Sequence, residues 1–94
     1  MADFQTLAAD GDSNTYTVRG VNGVYIFAKG NFGSGILKAQ LEGYDSTFRD
    51  IPGLDWSGEF GEQFMIPHNA VIRFNLNGAT NPSIYLEVRS TRWS

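Results

Sequence analysis

The chain has 94 residues, 41% hydrophobic and 18% charged, which fits one globular domain and leaves too little for a second core. It has no cysteine, one histidine, and seven Lys and Arg against ten Asp and Glu, a formal net charge of −3. Those counts exclude disulfides, thiol chemistry, and zinc or iron–sulfur sites of ordinary ligand type. They also argue against nucleic acid as a partner, because phosphate binding needs a basic face. No apolar run approaches the ~18–20 residues of a membrane helix, and Met1-Ala2-Asp3-Phe4 has neither the basic nor the apolar region of a secretory signal.

Eleven glycines punctuate the chain at short intervals, the spacing of an all-β domain. Residues 3–9 carry apolar residues at helical spacing, but a seven-residue helix is marginal in water, so an extended segment is expected. The turn Asp10-Gly11-Asp12-Ser13-Asn14 leads into a strand over 15–19. A strand over 23–29 follows, with Val24, Ile26 and Ala28 on one face and Tyr25 and Phe27 on the other. Apolar residues on both faces predict a central strand or one covered on two sides. After the loop Gly30-Asn31-Phe32-Gly33-Ser34-Gly35, residues 36–42 alternate, with Leu37, Ala39 and Leu41 facing in.

Further strands are expected over 47–51, 54–57, 63–66, 70–75 and 83–90, with Pro52-Gly53 breaking the first from the second. In the strand from residue 70, Ile72, Phe74 and Leu76 form the core side and Arg73 points outward or pairs with an acid on a neighbouring strand. About eight antiparallel strands with short connections predict a compact β-sandwich, either a jelly roll or an immunoglobulin-like order. Its expected core is Val18, Val24, Ile26, Leu37, Leu41, Ile51, Phe64, Ile66, Val71, Ile72, Phe74, Leu86 and Val88.

The residues offer little chemistry. His68 lies in the turn Ile66-Pro67-His68-Asn69, and no Gly-x-Ser-x-Gly elbow accompanies it, so it reads as an exposed turn residue. Asp10, Asp12 and Asn14 open like a calcium loop, but Thr15 and Val21 stand where the loop needs glycine and glutamate. The glycine-rich loop at 30–35 precedes a strand and so lacks the helix N-terminus that cradles phosphate. Asp45, Asp50, Asp55, Glu59 and Glu62 read as solvated turn acids, although a pair of them in a cleft could serve glycoside hydrolysis. No catalytic residue, metal or cofactor is expected. Aromatics in or beside turns are the remaining signal: Phe32, Tyr44, Trp56 and Phe60 are candidates for an exposed platform for sugar rings. The alternative for Trp56 and Phe48 is that they cap the sandwich core.

One pattern runs through residues 35–89: Ile36-Leu37-Lys38-Ala39-Gln40-Leu41, the turn from Tyr44-Asp45-Ser46 through Phe48-Arg49-Asp50-Ile51-Pro52-Gly53, Ile66-Pro67, Val71-Ile72-Arg73, and Gly78-Ala79-Thr80 with Ser83-Ile84-Tyr85. In these motifs the chain resembles small β-sandwich virion proteins of tailed bacteriophages. The family has tryptophan where this chain has Phe48, glycine where it has Asn69, and an Asp-Gly turn where it has Gly43-Tyr44-Asp45-Ser46. The resemblance implies a non-enzymatic capsid decoration (cement) protein on the outer surface of the phage head. Its partners would be the major capsid protein and sister copies of itself, most simply as a trimer. A tail or head-fibre adhesion module is the second choice within the group. Residues 1–13 and 90–94 are then candidate contact arms, with Phe4, Leu7, Arg92 and Trp93 as interface residues. A small carbohydrate-binding module remains the competing class.

Overall fold

The computed structural model describes residues 2–19 and 23–90. They form nine strands and no helix: β1 Ala2–Leu7, β2 Gly11–Asp12, β3 Tyr16–Thr17, β4 Val24–Asn31, β5 Ile36–Glu42, β6 Phe48–Trp56, β7 Phe60–Phe64, β8 Val71–Asn77 and β9 Ser83–Ser90. Two antiparallel sheets pack face to face, one in the order β1-β9-β4-β7 and the other β2-β8-β5-β6, with β3 also paired to β8.

The pairing resolves the strand order. β2 and β3 both lie along β8, so they occupy one strand position interrupted by residues 13–15. Counted that way, the first position pairs with the last, the second with the seventh, the third with the sixth and the fourth with the fifth. This is one long hairpin, rolled so that β9 also meets β4 and β8 also meets β5. Such a rolled hairpin is the jelly roll and not the immunoglobulin order.

The inward faces make one core. Val24, Ile26 and Ala28 from β4, Leu37 and Ala39 from β5, Ile72, Phe74 and Leu76 from β8, and Ile84, Leu86 and Val88 from β9 are all buried. Val18 and Ile66 join them as expected, and Leu7, Tyr16 and Phe32 join from segments read as arm, strand or loop. Each fully buried Leu, Ile or Phe contributes about 1.5–3 kcal/mol of transfer free energy. Four expected core positions are only partly covered. Leu41 is the last inward residue before the turn at 43–47 and is 37% exposed. Val71 shares the outward parity of Arg73, Phe64 ends the edge strand β7, and Ile51 sits in a bulge, and all three are half-buried.

Pro52-Gly53 does not end a strand. β6 runs through it, and the register jumps: Asp50 faces Gln40 and Asp55 faces Lys38, so four residues of β6 oppose Ala39 alone. Gly53 at φ 82° makes the excursion without a Cβ penalty. The strand expected over 15–19 shortens to Tyr16–Thr17, and that over 63–66 shifts to Phe60–Phe64. Residues 2–7 are a sheet strand and not a free arm.

Candidate functional site

The two outer faces of the sandwich differ in chemistry. On the β2-β8-β5-β6 sheet the outward side chains form a polar ladder. Arg73 Nε donates to Gln40 Oε1 (2.8 Å), and Gln40 Nε2 donates to Asp50 Oδ1 (2.9 Å). Arg73 Nη1 lies 3.5 Å from Asp12, Lys38 Nζ lies 3.7 Å from Asp50, and the Arg73 guanidinium sits 4.1 Å over the Phe48 ring. Arg73 is thus outward and paired, as its alternation predicts. Every strand position of that sheet contributes to this ladder.

The outer face of the β1-β9-β4-β7 sheet is aromatic. Register places Tyr25 opposite Arg89 and Gln63, Phe27 opposite Glu87 and Gly61, and Lys29 opposite Tyr85. Phe27 is 41% exposed. Its ring lies directly over Gly61, where a Cβ would come within 2.6 Å of it, so glycine there is what lets the ring lie down on β7. Tyr25 packs against Phe27 with centroids 4.7 Å apart. Lys29 Nζ stands 5.5 Å from the Tyr85 ring centre, and Arg89 Nη2 donates to Glu87 Oε2 at 2.8 Å. Glu59 arrives from the β6–β7 connection and is fixed there by accepting the Gly30 N–H at 2.8 Å. Between these side chains lies an open groove of about 740 Å³.

The residues singled out from sequence do not assemble into the expected platform. Phe32 is buried in the core, because the 32–35 turn folds under the sandwich with Gly35 N–H donating to the Phe32 carbonyl at 2.9 Å. Trp56 and Phe60 stack on each other at 3.8 Å with rings 10° apart, and both pack against the core. They tie the end of one sheet to the start of the next, which for Trp56 is the core-capping alternative, while Phe60 is only partly buried and also lines the groove. Phe48 lies beneath Arg73 on the outer ladder and not at the end of the core. Tyr44 is fully exposed at the β5–β6 turn. Trp56 pairs with Leu37 and Phe48 with Glu42, so Tyr44 lies roughly 17 Å or more along the hairpin from Trp56. Leu7 is buried, so it is a core residue and not a contact residue. Phe4 lies in β1 opposite Glu87, and Arg92 and Trp93 lie outside the described residues.

The acidic motifs have structural partners. Asp10 accepts from Gly78 N–H (3.0 Å) and Ala79 N–H (2.9 Å), and Asp12 accepts from Asn75 Nδ2 (2.9 Å). Asp10 therefore fastens the first segment to the β8–β9 connection and Asp12 fastens it to β8 itself, and no group of three metal-ligating side chains occurs among the described residues. Asp45 pairs with Arg49 (3.1 Å), whose guanidinium, with the Thr47 N–H, holds its carboxyl below the ordinary aspartate range. His68 is exposed in its turn.

Sequence reasoning missed the aromatic sheet face, although its signal was present. Alternation places Tyr25 with Phe27 and Tyr85 with Arg89 on outward faces. The apolar content of both faces of β4 fits its central place between β9 and β7, but it does not say whether a second layer covers the outer face. No protein-family model, curated protein or solved structure matches the chain.

Proposed function

We propose that the chain is a non-enzymatic structural virion protein, a decoration protein that binds the outer surface of a tailed-phage head and contacts sister copies there as a trimer. The observation that carries this reading is the edge strand β1. Native sheets protect their edges with short strands, bulges, prolines or charges. Here β2 and β3 are two residues each, β6 is bulged at Pro52-Gly53, and β7 is five residues with Glu62 at its centre. β1 is six residues long with regular pairing, no proline, no lysine and one charge, Asp3. Among the described residues no strand covers its outer side. An unguarded edge of that length suits pairing with another chain.

Two further points support the reading. The jelly roll is an architecture that recurs in virion and lectin domains, although a fold by itself assigns no function. The resemblance over residues 35–89 has glycine where this chain has Asn69, and Asn69 adopts φ 70°, a conformation that glycine and asparagine share most readily. The departure therefore keeps the backbone that the pattern requires.

Cosedimentation of the purified chain with heads of the phage that encodes it tests the proposal, together with light scattering of the chain alone. Saturable binding and a defined oligomer are expected. Thr6→Lys places a charge on the exposed side of β1 and should weaken self-association without lowering the melting temperature. A monomer that stays in the supernatant would overturn the reading.

A further inference from the structure

We propose that the groove on the outer face of the β1-β9-β4-β7 sheet is a binding site for a neutral oligosaccharide. Size, charge and side-chain chemistry each point there. The groove's 740 Å³ lies within the range of roughly 300–1,000 Å³ typical of small-ligand sites.

The charges are balanced. Lys29 and Arg89 face Glu59 and Glu87, two of each sign. An anionic ligand would meet two carboxylates and a cationic one would meet two bases, so a neutral ligand fits best. The polar groups are also held in place. Glu59 is anchored through one oxygen to the Gly30 N–H, which leaves carboxylate lone pairs for a ligand hydroxyl. Glu87 and Arg89 orient each other at 2.8 Å. A sugar presents apolar C–H faces ringed by hydroxyls. It needs a flat ring to lie on and fixed donors and acceptors beside it, and Phe27 on Gly61, flanked by these charges, supplies both. The residues lining the groove belong to β4, β7, β9 and the β6–β7 connection, whereas the assembly proposal rests on β1, so the two are tested by different variants.

The test is titration calorimetry of the purified chain with maltotriose, cellotriose, mannotriose, lactose and chitotriose, each to millimolar concentration. At least one should bind. Phe27→Ala should weaken that binding by about tenfold, the loss of one stacking contact and its burial. Glu59→Gln should weaken it as well, and the Tyr44→Ala control should not. If Phe27→Ala does not fold, Gly61→Ala serves instead, since its Cβ displaces the ring. Head binding in the cosedimentation assay should survive Phe27→Ala, so failure here is distinct from failure of the decoration reading. No binding by any of the five sugars, binding unaffected by Phe27→Ala (or by Gly61→Ala in its place) or by Glu59→Gln, or a dimer abolished by Phe27→Ala would each overturn the proposal.

Discussion

Among the described residues Ser13 is the one buried polar side chain, and it bridges the break between β2 and β3. Its hydroxyl donates to the Asn14 carbonyl at 2.8 Å and accepts the Phe74 N–H at 2.9 Å. Its own N–H donates to the Phe74 carbonyl at 2.7 Å. Ser13→Ala removes the acceptor and leaves a buried N–H unpaired, which should cost about 1–3 kcal/mol. Urea unfolding measures this, and a change within error would show that water replaces the hydroxyl. Asp45 gives a pH prediction at the same scale. Its carboxyl is held low in the folded chain, chiefly by Arg49. Its contribution to stability is therefore fully present above the ordinary aspartate range and fades as pH falls through its lower folded value. A carbon-detected titration should place its midpoint below an unperturbed aspartate, and Arg49→Ala should move it up. An ordinary midpoint in the parent chain would contradict the pairing. None of these roles was legible in the sequence: Ser13 looked like any turn serine, because its partner lies 61 residues away.

At the scale of elements, β1 is where local reading and structure part most usefully. The weak helical spacing of residues 3–9 gives way to a strand over Ala2–Leu7, but nothing local says that this strand pairs with β9 along its whole length. Leu7 consequently lies in the core. Leu7→Ala should cost about 2–5 kcal/mol, as for other buried leucines, and deleting residues 1–7 should abolish cooperative unfolding. A deletion that still melts cooperatively near the parent temperature would show that β1 is dispensable. β6 teaches the converse lesson. Pro52-Gly53 has the local chemistry of a strand break, yet an edge strand can carry both residues in a bulge and keep its pairing on either side. Alternation was the dependable signal. It placed Val24, Ile26, Leu37, Phe74 and Leu86 inward and Arg73 outward, because a period of two fixes faces whatever the neighbours are.

At the scale of the molecule, alternation fixes faces but not partners. The choice between jelly roll and immunoglobulin order depends on which distant strands meet. Here Ala2 pairs with Arg89, a contact that no segment of the chain announces. The same limit hid the aromatic sheet face, since whether another layer covers Tyr25 and Phe27 is a property of the whole fold. The assembled molecule has a polar ladder on one side, an aromatic groove on the other and one unguarded edge between them. The proposed function places that edge against other chains on a phage head. If the proposal holds, electron cryomicroscopy of phage heads that carry the chain tests this most directly. The account predicts jelly-roll density on the outer shell, in threefold sets, with β1 at the contacts between copies. Heads whose outer surface lacks such density, in particles shown by mass spectrometry to carry the chain, would contradict it.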